Sequence, residues 1–193
     1  VGVPDSLLKS FCAYIDEHSP QGKHIIAANE GNAIGIASGY HLSTKKIPVV
    51  YMQNSGLGNC INPLTSLTDK EVYSIPMILL IGWRGEPGFN DEPQHLKQGI
   101  TTKKQLKAIG LDFFIIDEKS DLKTDLNNAI DLSLKISAPV ALLIRKRTFK
   151  KFEKKNKTAY KESFSREDAI KNIISLIGKN DLIVSTTGKT SRE

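Results

Sequence analysis

Short apolar runs recur along this chain at 24–28, 47–52, 76–81, 113–116 and 139–144, and helix-patterned segments lie between them. A parallel strand pair needs a crossover of a dozen or more residues, usually a helix, so this alternation predicts a mostly parallel sheet covered on both faces. The run at 76–81 is apolar on both pleat faces, as a strand inside such a sheet must be. Helices are expected over 5–17, from an Asn29 cap to about 42, over about 57–67 and 102–109, and through Leu122, Leu126, Ile130 and Leu134. The expected fold is α/β, a three-layer α/β/α domain with about five strands before Arg145.

A chain of 193 residues can bury one good core and begin a second domain. After a basic stretch the pattern restarts. Ser165 and Asp168 have capping-box spacing, a helix follows as far as Gly178, and a strand is expected over 181–185. The expected organisation is a domain over 1–145, a basic linker over 146–164, and the start of a second α/β domain over 165–193. The net charge of +6 is local: residues 145–161 hold nine of the 27 basic residues against one acid, Glu153. The remaining 18 basic and 20 acidic residues nearly balance. No aromatic platform or nucleic-acid module accompanies the basic run, so no nucleic-acid partner is expected.

The longest apolar run, 75–83, has strand length and not membrane-spanning length, and the first residues lack a signal-peptide pattern. Cys12 and Cys60 sit inside apolar-patterned segments and suggest no disulfide. A cytoplasmic protein with no membrane association is expected. The absent initiator Met suggests a fragment or a trimmed chain.

Several catalytic motifs fail on inspection. Gly56 and Gly58 begin a dinucleotide fingerprint whose third glycine position is Ile61. Gly188 and Lys189 would end a P-loop, but the required earlier glycine is Ile183. The histidines and cysteines have no metal-ligand spacing, and no serine-nucleophile elbow is present. What remains is the corner after 24–28. Asn29 and Glu30 end an apolar run and open a helix of small residues, Gly31, Ala33, Gly35, Ala37, Ser38 and Gly39. In α/β proteins ligands bind outside the carboxyl ends of strands. A helix this small leaves room for a bulky ring or a partner helix. A long polar loop is expected over 83–99, holding Arg84, Glu86, Asp91, His95 and Lys97.

Asn29, Glu30, Asn32, Ala33, Ala37, Gly39 and Tyr40 match an N-E-x-N-A-x-x-x-A-x-G-Y pattern, and Gly56, Gly58 and Asn62 supply a second wall. In these motifs the chain resembles the amino-terminal, pyrimidine-binding domain of thiamine-diphosphate-dependent 2-oxo acid decarboxylases. Segments 2–8, 82–87 and 91–99 resemble the phosphonopyruvate decarboxylase branch, with sulfopyruvate decarboxylases close to it.

The resemblance implies that Glu30 hydrogen-bonds N1′ of the cofactor's aminopyrimidine and so assists removal of the thiazolium C2 proton. It implies catalytic positions near the substrate for Asp5 and His95, and pocket-shaping cofactor contacts for Asn54, Gly56 and Asn62. A phosphonate needs cations; Arg84 suits bidentate oxyanion recognition, and Lys97 is a second candidate. The family binds the diphosphate through Mg²⁺ with a G-D-G…N-N motif in a carboxyl-terminal domain. That motif is absent from these residues, so no metal ligand is expected in this chain.

The family also builds its sites between subunits. The resemblance therefore implies a homo-oligomer, or a separate chain carrying the diphosphate half. The implied reaction is 3-phosphonopyruvate to phosphonoacetaldehyde and CO₂, in phosphonate biosynthesis, by a fragment inactive alone. A sulfopyruvate decarboxylase or its alpha subunit is the alternative, and a non-catalytic assembly subunit is the alternative of another class.

Overall fold

The computed structural model describes residues 1–153 and 165–184. The chain divides into two units, Val1–Lys154 and Lys155–Glu193. The first contains helix α1 (Lys9–His18), α2 (Glu30–Thr44), strand β1 (Val49–Gln53), α3 (Leu57–Ser66), β2 (Ile78–Gly82), α4 (Pro93–Ala108), β3 (Asp112–Ile116), α5 (Leu122–Ile136) and β4 (Val140–Ile144). The strands form one parallel sheet in the order β1-β2-β4-β3, with Val50, Leu79, Ala141 and Phe113 level across it.

Side chains alternate across a pleat, and the alternation sorts the core into two layers. Val50, Met52, Leu79, Ile81, Ala141 and Leu143 face Ala33, Ile34 and Ala37 of α2, Cys60 and Leu64 of α3, and Leu106 of α4. Tyr51, Ile78, Leu80, Val140, Leu142 and Ile144 face the other way, toward Ala129 of α5 with Phe11, Cys12 and Ile15 of α1. The three-layer α/β/α arrangement with a parallel sheet is the fold expected from the sequence.

Four strands form, and the fifth expected one, at 24–28, does not. Gly2 makes single-residue parallel bridges to Ile26 and to Tyr51, so the first residues lie between 24–28 and β1. Gly2 N–H donates to the Ile25 carbonyl, and Ala27 N–H to that of Gly2, at 3.0 and 2.9 Å. Beyond this pair the segment is an edge with Ile25 42% and Ile26 62% exposed, and a ladder this short is not a strand. The loop expected over 83–99 is also shorter than predicted. Pro93 occupies the first turn of α4, where its missing N–H costs nothing, so His95 and Lys97 are helical.

In the second unit α6 (Arg166–Leu176) begins with Ser165 and Asp168 capping each other reciprocally. No strand forms over 181–184, and residue 185 and the segment 187–190 lie outside the described residues. The first part of the basic stretch packs in the first unit. Phe149 stacks on Phe11 with ring centres 5.9 Å apart, and Phe152 N–H donates to Ser10 Oγ at 3.3 Å. The rest of the expected linker, 154–164, lies outside the described residues.

Candidate functional site

All four strands run the same way, so every strand end opens on one edge of the sheet. Along this edge lie Asn54 after β1, Trp83 and Arg84 after β2, Asp117 after β3 and Arg145 after β4. Asp5 follows the Gly2 bridge, and Glu30 follows the bridged segment at 26. Sequence-distant polar residues are gathered there by topology alone.

Glu30 is the first residue of α2. Its helix is capped by Asn29, whose Oδ1 accepts from Asn32 N–H at 2.9 Å. Glu30 Oε2 accepts from Asn59 Nδ2 at 2.8 Å, while Oε1 has no hydrogen-bond donor among the described residues. The carboxyl lies directly over Gly56, where an added Cβ would collide with it. Gly31 is as constrained: a Cβ there would stand 2.7 Å from the Asn59 carbonyl oxygen. Two glycines thus let the N-terminal turns of α2 and α3 close on one carboxylate. Burial, and then the Glu30 charge, push the Cys60 thiol up to about 12, so it is inert at neutral pH. Both cysteines are free thiols.

Asp5 is 6% exposed, and neither carboxyl oxygen has a hydrogen-bond partner among the described residues. Gly82 makes room for it; a Cβ there would collide with Asp5 Oδ2. Burial raises the Asp5 pKa. The nearby amides of Leu7, Leu8 and Ser6, and the Arg84 charge, pull it down less, since none of those amides reaches hydrogen-bond geometry.

Arg84 is committed. Its Nε and Nη2 donate to the two oxygens of Asp91 at 2.8 and 2.5 Å, and its Nη1 to Ser6 Oγ at 2.5 Å. This fork holds the Asp91 carboxyl well below the usual carboxylate range. Asp91 Oδ2 also takes the Gly85 N–H at 2.8 Å, closing the loop after β2. Gly85 has φ +67° and presses on the His95 carbonyl, which fixes the first turn of α4 against that loop. Lys97 is exposed on α4, and its ammonium has no partner among the described residues.

Asn54 is fully buried and spends both amide hydrogens, on the Arg84 carbonyl and Thr102 Oγ1, each at 2.8 Å. It ties β1, β2 and α4 together and keeps no donor for a ligand. Asn62 is exposed on α3. Glu86 is 6% exposed and pairs with Arg145 Nε at 2.7 Å, while Arg145 also reaches Asp117 at 3.4 Å.

The partners Asn59, Asp91 and Arg145 carry no periodic signal, and sequence reasoning missed their roles. Asp91 stood in the polar loop expected over 83–99 and Arg145 at the head of the basic run, but neither position foretold its partner. A hollow of about 470 Å³ lies at the opposite, amino-terminal ends of the strands, among Phe11, Ile15, Ile36 and Tyr40, and holds no predicted site residue. Among the described residues no group of three or more His, Cys, Asp or Glu could hold a metal ion, and no helix is long and apolar enough to cross a membrane.

A parallel α/β domain with a carboxylate in the first turn of a small-residue helix, held over a glycine of the next wall, has the form of one half of a cofactor site. Residues 1–106 match the model of the thiamine pyrophosphate enzyme, N-terminal TPP binding domain, and the chain belongs to that family. Its relatives are decarboxylases. It is 32% identical over 142 residues to the sulfopyruvate decarboxylase subunit alpha of Methanococcus maripaludis, covering 74% of this chain and 82% of the relative. It is 30% identical over 209 aligned positions to the phosphonopyruvate decarboxylase of Streptomyces viridochromogenes, covering 100% of this chain and 51% of the relative. The alpha subunit of Methanocaldococcus jannaschii is 33% identical over 144 residues, 73% of this chain and 80% of the relative. The chain thus spans about half the length of the phosphonopyruvate decarboxylase and four-fifths of the alpha subunits.

One feature suits the pyrimidine end of thiamine diphosphate: Glu30 Oε1, over Gly56 of the next wall, has no donor among the described residues.

Proposed function

We propose that this chain supplies the pyrimidine-binding half of a decarboxylase for 2-oxo acids with an anionic head group, 3-phosphonopyruvate first among them. One observation carries the reading: Glu30, steered by Asn59 and seated over Gly56, leaves Oε1 open to share a proton with a ring nitrogen. Bound thiamine diphosphate would supply an electron sink for the pair left when CO₂ departs.

The chain's own residues do the rest. Glu30 orients the ring and holds a proton at its nitrogen. Asp5, whose pKa burial raises, is the proton-holding group for delivery near the substrate. His95 positions and relays from the first turn of α4. Arg84 keeps one N–H on each of Nη1 and Nη2 for a substrate oxyanion, and Lys97 adds a mobile charge. Asn54, Gly56 and Asn62 shape the wall. The Mg²⁺-diphosphate anchor belongs to a second half, borne by a longer form of this chain or by a separate one. The assembly is an oligomer with sites between chains, in the cytoplasm, serving phosphonate biosynthesis.

Identity of 32% and 33% to alpha subunits supports a second reading, the alpha chain of a two-chain sulfopyruvate decarboxylase. Steady-state assay of the complete enzyme on both acids separates the two readings, and a clear sulfonate preference overturns the first. Glu30→Gln in that enzyme is expected to lower kcat by orders of magnitude with the fold intact. Full activity in that variant would support a non-catalytic assembly role.

A further inference from the structure

A pocket of about 330 Å³ opens at the strand ends, between the loop after β2 and the turn after β4. Glu86 and Arg84 line one side, Lys146 and Arg147 the other, with Ser6 beneath. The sequence assigned Lys146 and Arg147 to a solvated linker, yet the structure builds them into this wall.

Charge sorts the residues. Arg84 is paired with Asp91, and Arg145 behind the wall with Glu86 and Asp117. Lys146 and Arg147 form no ion pair among the described residues; Lys146 Nζ reaches only the Asn90 carbonyl, at 3.2 Å. These two exposed cations stand without a paired acid at this hollow, and they also border a second, smaller one with Asp117, Glu118 and Lys119. Arg147 also adopts φ +71°, a left-handed conformation unfavourable for a residue with a Cβ. Thr148 Oγ1 fixes the turn by donating to the Arg145 and Ile116 carbonyls at 2.8 and 3.1 Å. Strain held in place beside a pocket points to use of the side chain it presents.

The second observation is Glu86. It lines the pocket, Oε1 takes Arg145, and Oε2 is buried with no donor among the described residues. An unpaired buried carboxylate oxygen costs stability unless a hydrogen-bond donor meets it. A ligand suited to this pocket brings anionic oxygens for the two cations and one hydrogen for Glu86.

We propose that the pocket binds the phosphonate end of the substrate, Lys146 and Arg147 taking charged oxygens and Glu86 accepting the P–OH hydrogen. A phosphonate ionises a second time near neutrality, as phosphate esters do, and so can carry that hydrogen. A sulfonate carries none and meets a bare carboxylate. Glu86 is thereby the residue that selects phosphonate over sulfonate. The decarboxylase reading enters only in making this anion a substrate.

Titration of the 193-residue chain with methylphosphonate and methanesulfonate at pH 7 and fixed ionic strength, followed by amide NMR shifts, tests the site directly. Methylphosphonate is expected to shift the amides around Lys146 and Arg147 and to bind at least tenfold more tightly than methanesulfonate. Arg147→Asn, neutral and tolerant of the left-handed turn, is expected to weaken methylphosphonate at least tenfold with an unchanged or higher melting temperature. Lys135→Ala, an equal charge loss on α5, is expected to change nothing. Glu86→Gln is expected to narrow the gap between the two anions. Equal affinities in the parent chain, or binding indifferent to Arg147→Asn, overturn the proposal. Pocket binding in a complete enzyme that releases no CO₂ would sink the decarboxylase reading alone.

Discussion

At the scale of single residues the costs are concentrated where chemistry is proposed. Asp5 and Glu86 hold the buried side-chain oxygens that lack a partner among the described residues. Because burial raises the Asp5 pKa, the folded chain holds that proton more tightly than the unfolded chain does. Stability therefore falls as pH rises from the ordinary aspartate range through the raised value, and the loss is complete above it. Asp5→Asn is expected to raise the melting temperature at neutral pH, by about 2–4 °C for each kcal/mol regained. The gain should fade on acidification toward the ordinary aspartate range, while kcat of the complete enzyme drops. Melts of both proteins across that pH range check it; an Asp5→Asn protein less stable than the parent at neutral pH would count against the desolvation account. Asp91 behaves oppositely. Its pKa is depressed, so the Arg84–Asp91 contribution persists down to the ordinary carboxylate range and goes only on further acidification.

At the scale of elements the small residues of α2 divide into two kinds. Gly31 and Gly56 are needed for α2 and α3 to meet. Gly35 and Gly39 touch nothing within 4 Å where a Cβ would be. Gly35→Ala is expected to stabilise the chain by about 0.5–1 kcal/mol through helix propensity. Gly31→Ala must displace the Asn59 backbone and is expected to destabilise by about 1–3 kcal/mol. Urea titrations of the two variants should move in opposite directions. The small-residue pattern announced a close approach, and its direction was not readable, since periodicity does not say which turn meets a neighbour. The start of α4 was missed for a related reason. Pro93 after Glu92 is a legible helix start, but Gly99 and a run of polar residues masked the period until Thr102 and Leu106 packed.

At the scale of the whole molecule the sheet, both core layers and every proposed site residue lie in Val1–Lys154. A chain cut after Lys154 is expected to unfold cooperatively and to keep its methylphosphonate response, checked by circular dichroism and by the NMR titration. Loss of cooperative unfolding would show that the first unit does not fold on its own.

The sequence by itself determined the layers of this protein and one corner of its site. Period and turn chemistry are local, so β1 to β4, α2 with its Asn29 cap, α5 and the Ser165–Asp168 box were all legible. The place of Glu30 in the first turn of α2 was legible because its motif is contiguous. The tertiary structure decided which distant residues meet at the strand ends. Parallel order brings Asp5, Asn54, Arg84 and Arg145 to one edge from positions as much as 140 residues apart. It also decided that the edge run at 24–28 would pair through a single residue, and that Lys146 and Arg147 would line a pocket. No local pattern encodes those outcomes. They follow from closing the sheet, where hydrogen-bonded neighbours and buried charges must be satisfied together.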